Sequence, residues 1–415
     1  MSVFRPFRAI RPLKEYASRV AALPYDVMSS EEAVVMARDN PYSFLHVDKA
    51  EIDLPEGTGL YDAAVYAKAA ENLAKLEENG VIAQDEKPRL YLYRQIMNGR
   101  AQTGIVGCAA IDDYLNNVIK KHEHTRADKE ADRIRHVKAC DANTGPIFLC
   151  YERLATIDAV IDKYLALEPE YDFVTDEGIA STVWVIDADE DITSLTESFK
   201  GIPSLYIADG HHRCASAVRV GQEKRAENPR YTGQEEFNFF LAVLFRADEL
   251  NIMDYNRVLK DTNGLSDQEL LAKLSEIFIT EECSGPYKPE AKHTFGLYLS
   301  GKWHKLALKY GICDENDPVA RLDVSVLQNH VIAPIFGIED PRTDKRIDFI
   351  GGVRGLAELE RRCSGDGDMR AAFALYPTTL DDLMAIADAG EVMPPKSTWF
   401  EPKLLSGLFI HKLSD

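Results

Sequence analysis

The sequence lacks paired cysteines, glycine-rich loops and long apolar runs, and it is short of positive charge. Its 7 cysteines (Cys108, Cys140, Cys150, Cys214, Cys283, Cys313 and Cys363) are odd in number, scattered, and never spaced C-x-x-C. That pattern argues against a zinc ribbon, a redox dithiol and a disulfide framework, and it implies a reducing, cytoplasmic setting. No window of about 18 apolar residues occurs, so no membrane span is expected. The N-terminal MSVFRPFRAIRPLKEY has no continuous apolar core of the kind a signal peptide carries. Pro395-Lys396-Ser397-Thr398 ends like a Walker loop, but no glycine-rich loop precedes it, so that match is rejected. Lys and Arg total 48 against 68 Asp and Glu, a net charge of −20 that repels nucleic acid and anionic membrane. Neither is expected as a partner.

What remains is a chain of 415 residues, 45% apolar and 28% charged, the composition of a globular protein too long for one ordinary core. Two regions are expected, 1–250 and 251–415, the second beginning near NRVLKD and the helical pattern SDQELLAKLSEIF. In the first, Ser29 or Ser30 caps a helix with Glu31 and Glu32 in its first turn, and TGLYDAAVYAKAAENLAKLEENG reads as an amphipathic helix stopped at Gly80. RLYLYRQIM and TGIVGCAAIDDYL are strands joined at Asn98-Gly99-Arg100 as a hairpin, and KEADRIRHVKACDAN is a helix. PIFLCYE, STVWVIDAD, PSLYIAD and FNFFLAVLF are further strands. In the second region HTFGLYLSGKWHKLALK is a hairpin turning at Gly301, and the tail MPPKSTWFEPKLLSGLFIHKL is apolar enough to pack back onto the body. Strands and helices mix without a regular βαβ alternation, so the fold class is α+β, or mixed α/β.

The chemistry concentrates in SLYIADGHHRCASAVRV, Ser204 to Val220. A strand ends near Asp209, Gly210 supplies the sharp junction, and a helix begins at once. The first amides of that helix have no intrahelical acceptor, and the helix dipole favours an anion there. A phosphate could take the N–H groups of His211, His212 and Arg213 together with the Arg213 guanidinium. Asp209 has two readings: it caps the helix, or it holds a substrate hydroxyl or a Mg²⁺ ion beside the phosphate, as a kinase base does. The histidines also permit a metal site. His122 and His124 would face one side of a strand, whereas adjacent His211 and His212 do not converge easily on one ion, and no H-E-x-x-H spacing exists. Between Lys120 and Lys138 seven basic residues face four acidic ones, and Lys129, Arg133 and His136 share a helix face. This is either a solvated face or the place where an acidic enzyme gathers positive charge for a nucleotide.

Several segments together resemble the family catalogued as domain of unknown function 1015: Pro24-Tyr25-Asp26-Val27, Asn40-Pro41-Tyr42-Ser43-Phe44-Leu45, His122-Glu123-His124-Thr125, Ala142 to Phe148, Ala208 to Arg213 and Pro394 to Thr398. The Asp-Gly-His-His-Arg core also resembles the signature of the ParB/sulfiredoxin-like superfamily, most closely its free-serine kinases. Sulfiredoxins carry a reacting cysteine where this chain has His211, so their chemistry is not expected here. The kinase resemblance implies phosphoryl transfer from ATP or ADP, with Mg²⁺, to L-serine. It implies phosphate contacts at Gly210, His211, His212 and Arg213, joined by Thr125, Arg133 and His136. Asp209, Glu123 and His212 become the catalytic candidates, Asp209 a contact to Mg²⁺, and Asp26, Ser43 and His122 substrate contacts. Two other functions remain open: a nucleotide-binding regulator without turnover, and a histidine-metal hydrolase.

Overall fold

The computed structural model describes residues 1–365 and 367–414. The chain forms two compact units, Met1–Leu250 together with the segment from Pro402 onward, and Asn251–Glu401. The fold is α+β in both. The chain passes from the first unit to the second after Leu250 and returns to the first at Pro402. From Pro402 the chain carries Leu404, Leu405, Leu408, Phe409, Ile410 and Leu413, all buried. Ile410 pairs with Ile10, Ser406 with Ala22, and His411 with Asn143. Apolar side chains at this density follow the core they can fill, whatever their place in the sequence.

The first unit is built on a nine-stranded mixed sheet. Its order runs Ile119–Lys120, Leu205–Asp209, Ile147–Tyr151, Phe239–Arg246, Arg100–Ala110, Leu90–Met97, Ala180–Ile186, Tyr171–Val174, with Phe4–Arg5 pairing the end of Arg100–Ala110. Phe239–Arg246 is central and buried along all but its last residue, which is why FFLAVLF reads as an unbroken apolar run rather than an alternating one. The Leu90–Met97 and Arg100–Ala110 strands form the expected hairpin, with Asn98 and Gly99 both at positive φ. Helices Ala155–Leu165, Asp189–Lys200 and His211–Glu227 share one core with the sheet, through Ile157, Ile161, Leu195, Phe199, Cys214 and Val218. A second core gathers Phe44, Leu45, Leu73, Leu76 and Ile82 with Ile410. The helices read around Ser29 and before Gly80 are present as Ser30–Ala37, closed by a Ser29–Glu32 capping box, and Ala63–Glu78.

The second unit holds a six-stranded antiparallel sheet in the order Phe278–Cys283, Lys302–Leu308, Thr294–Leu299, Ala371–Leu375, Tyr255–Leu259, Ile347–Gly351. The predicted hairpin at Gly301 is its Thr294–Leu299 and Lys302–Leu308 pair. No helix among the described residues is long and apolar enough to cross a membrane.

The tail is a structural part of the first unit. Phe409 is 1% exposed and packs against the rings of Tyr91 and Tyr93, with centroids 5.1 and 6.2 Å away. Phe409→Ala is expected to cost about 3–5 kcal/mol of that unit's stability. A denaturant titration in which the variant keeps the parent's midpoint would show that the tail is merely draped on the surface.

Candidate active site

The site is a junction. The Leu205–Asp209 strand delivers Asp209, Gly210 adopts φ +91°, and the helix His211–Glu227 starts in the next residue. A β-bulge between Ile207 and Asp209, against the Ile147–Tyr151 strand, twists the strand end at this point. A side chain at Gly210 would be strained at that φ, and its Cβ would lie 3.1–3.3 Å from the guanidinium of Arg213. The turn therefore needs glycine twice over.

Asp209 does not cap the helix. Its Oδ1 accepts the N–H of Gly210 at 2.8 Å, and its Oδ2 accepts from Lys403 Nζ at 3.0 Å. No side chain bonds the helix N-terminus, and the N–H groups of His211, His212 and Arg213 have no acceptor among the described residues. Lys403 comes from the C-terminal segment and is 8% exposed. Burial works to raise the Asp209 pKa, but the charges of Lys403 and Arg213 and the Gly210 hydrogen bond outweigh it and hold the carboxyl well below its usual range. The result is a neutralised carboxylate beside an electropositive, unsatisfied helix end.

Arg213 is less free than the sequence suggested. Its Nη1 donates to the Pro146 carbonyl at 2.6 Å, its Nε is buried without an acceptor, and its Nη2 makes no hydrogen bond among the described residues. The guanidinium thereby ties the Ala142–Phe148 segment to the Gly210 turn. Against the cost of burial, Asp26 and then Asp209 keep it charged. Beside it lies a cavity of about 20 Å³, lined by Tyr25, Asp48, Arg133, His136, Thr144 and Arg213 among others. That is room for about one water and no substrate.

The remaining candidates divide. Glu123 and His122 converge on His211. The His122 and His211 rings meet edge-on at 4.5 Å, Glu123 Oε2 lies 4.0 Å from His211 Nδ1, and one ligand atom from each of the three falls within 4.8 Å of the others. Both ring nitrogens of His122 and the Nε2 of His211 are buried without a hydrogen-bond partner. Burial brings the His122 pKa down to about 4, and burial together with His122 pushes His211 well below its ordinary value. His124 is exposed, and the idea that it shares a face with His122 fails because the Ile119–Lys120 strand ends before either residue. His212 Nε2 accepts the N–H of Arg126 at 3.0 Å, serving the start of the Ala127–Cys140 helix.

Asp26 is exposed and acts electrostatically on both Arg213 and His212. Arg133 is buried, ion-paired to Asp132 at 2.8 Å and stacked 3.9 Å from the Tyr25 ring, and it shares the small cavity with Arg213 and His136. His136 is satisfied by the Val47 carbonyl at 3.1 Å. Thr125, just before the Ala127–Cys140 helix, donates to Glu130 at 2.9 Å. Ser43 is buried and accepts the Leu45 N–H at 3.3 Å, a local turn bond. Sequence reasoning missed Lys403 altogether. The tail's apolar pattern announced that it would pack, but nothing announced that its lysine would face Asp209.

The chain belongs to the family described as Protein of unknown function (DUF1015), whose model matches residues 4–325. No curated protein matches it. Among solved structures it is similar to a free serine kinase in complex with AMP, at 15% identity and a TM-score of 0.34, over 72% of this chain and 86% of that one. It is also similar to a conserved hypothetical protein from Pyrococcus furiosus, at 14% identity and TM-score 0.35, covering 74% and 94%. SbnI with C-terminal truncation from Staphylococcus aureus gives 11% identity, TM-score 0.36 and coverage of 72% and 85%. Similarity at this level assigns no activity to the chain.

The buried His122 has a pH signature. Its folded pKa of about 4 lies below its ordinary 6.5, so the stability it contributes is complete above pH 6.5 and is lost as the pH falls toward 4. Unfolding titrations between those limits are expected to show a loss of about 3 kcal/mol from this group, and His122→Asn flattens that limb. An equal slope in parent and variant would mean that His122 is solvated in the folded chain.

Proposed function

We propose that the first unit binds the phosphates of ATP or ADP at the start of the His211–Glu227 helix and transfers a phosphoryl group to a small hydroxyl compound, L-serine being the preferred acceptor. The observation that carries this reading is the use of Asp209. A carboxylate placed to cap the helix instead turns to Gly210 N and Lys403, and it leaves three main-chain donors unsatisfied. Helix amides in that state, at the positive end of the dipole, suit an anion. Lys403 also answers the repulsion that a bare carboxylate would exert on a neighbouring phosphate. The resemblance of Asp209 to Arg213 to the ParB/sulfiredoxin-like signature supports the same reading, and with it a core of that type in the first unit.

In this account the amides of His211, His212 and Arg213 hold the phosphate, and Arg213 Nη2 adds one arm rather than a fork. Mg²⁺, travelling with the nucleotide, would supply charge neutralisation on the phosphate oxygens. Asp209, with both oxygens engaged, positions Lys403 and the turn. Glu123, half-buried beside His211, is the better candidate to orient or deprotonate the acceptor hydroxyl, while exposed Asp26 faces His212 and Arg213 as an acceptor contact. Arg133, His136 and Thr125 shape the surrounding shell. A reducing, cytoplasmic setting fits the seven unpaired cysteines.

A second reading has its own observation. Three buried imidazole nitrogens without partners, with Glu123 beside them, form a set that a nitrogen-preferring divalent ion would satisfy, as in a metal-dependent hydrolase. Elemental analysis of the purified protein separates the two, because such an ion survives purification whereas Mg²⁺ does not.

Two measurements test the kinase reading. Incubation with ATP or ADP, Mg²⁺ and L-serine is expected to yield O-phosphoserine; nucleotide binding without product on a broad acceptor panel would leave a regulator. Lys403→Met is expected to weaken nucleotide binding by about tenfold or more, with Asp209→Asn in the same chain restoring part of the loss. If the two changes are additive, Lys403 does not act through Asp209.

A further inference from the structure

The second unit contains a larger cavity, about 350 Å³, a volume suited to small-molecule ligands. Its lining includes Arg257, Phe349, Pro394 and Pro395, with Glu339 and the ion-paired Asp340 and Arg342. Arg257 lies on the Tyr255–Leu259 strand and is 4% exposed. Its guanidinium donates to the carbonyls of Tyr255 and Lys396, the second at 3.0 Å, and sits 5.3 Å from the Phe349 ring centroid. No carboxylate among the described residues lies within ion-pair distance of it. Burial brings its pKa down to about 10. Buried charges are ordinarily paired, because leaving one alone costs several kcal/mol. This cation is therefore held in place by neutral groups, at the wall of a cavity, and is electrostatically incomplete.

A complementary charge faces the same space. Glu339 is exposed and has no cation within ion-pair distance among the described residues, whereas neighbouring Asp340 is engaged by Arg342 at 2.9 Å. Two irregularities frame the cavity. Residues Gln328–Ile332 wind as a π-helix, a rare form frequent at functional sites, and Gln328 donates to the Ile338 carbonyl at 2.9 Å. Lys396, whose carbonyl steadies Arg257, is a non-glycine residue at φ +60°.

We infer that this cavity binds a small zwitterion, an α-amino acid, with its carboxylate on Arg257, its ammonium on Glu339 and its side chain against Phe349 and the Pro394–Pro395 wall. A phosphate or dicarboxylate would meet Arg257 but be repelled by Glu339. A simple amine would do the reverse. Only a ligand carrying both charges satisfies both groups. The inference is independent of the phosphate reading in the first unit, since none of its residues belongs to that site.

The test uses the full-length chain without nucleotide, and each of the twenty common α-amino acids in turn as probe. At least one is expected to raise the unfolding temperature and to bind one per chain by calorimetry. Its N-acetyl derivative, and Glu339→Gln with the free amino acid, are each expected to bind about tenfold or more weakly, and Arg257→Met to lose binding. Should Arg257→Met not fold, Glu339→Gln and the N-acetyl derivative still decide the matter. Absence of binding by every amino acid overturns the inference, as does undiminished binding to Glu339→Gln. So does inorganic phosphate binding that Glu339→Gln strengthens. Because no nucleotide is present, failure of the kinase reading would leave this result standing.

Discussion

The anion site proposed for the first unit depends on one ion pair. Asp209 and Lys403 meet across 194 positions of sequence, and their contact decides what happens at the helix between them. With Lys403 in place, the carboxylate is neutralised and drawn off the helix end, and the amides of His211, His212 and Arg213 stay open. Without it, the same aspartate would have every reason to fold over and cap those amides, as aspartates at helix starts do. The C-terminal segment is thus more than a strap over the core. It carries the cation that keeps a capping residue from capping.

Around that pair the structure is unusually rich in unsatisfied groups. The Nε of Arg213 and the Nε2 of His211, next to the Gly210 turn, and both nitrogens of His122, whose ring meets that of His211, are buried without partners. Buried polar atoms left unpaired cost about 1–3 kcal/mol each. Proteins accept such costs where a ligand, water or ion takes part in the working state. The small cavity between Arg133 and Arg213 is too tight for a substrate, so the proposed function places the ligand at the open face of the helix start rather than behind it. The second unit repeats the theme in a milder form, with one buried cation and one exposed anion sharing a cavity.

Much of this was legible in the sequence, for identifiable reasons. The strand, glycine and helix at Ser204 to Val220 were readable because apolar period, a glycine and an alanine-rich stretch each signal locally. The hairpins at Asn98-Gly99 and Gly301 were readable for the same reason. The fate of individual side chains was not. Whether Asp209 caps its helix depends on a lysine far along the chain, and whether Arg213 offers a fork depends on the carbonyl of Pro146. Strand periodicity puts His122 and His124 on one face, but the strand ends at Lys120, four residues short of His124, and one ring goes inside while the other goes out. The tail's burial was read from composition, but its membership in the first unit needed the pairing of Ile410 with Ile10. Local signals fix elements, and long-range contacts fix what their side chains do.

The central claim is that an anion docks on the main-chain donors at the start of the His211–Glu227 helix. A crystal structure grown with ADP and Mg²⁺ tests it most directly. The account predicts phosphate oxygens within hydrogen-bond distance of the amides of His211, His212 or Arg213, with Lys403 still on Asp209. A nucleotide bound elsewhere, with those amides capped by Asp209 or by another part of the chain, would contradict it.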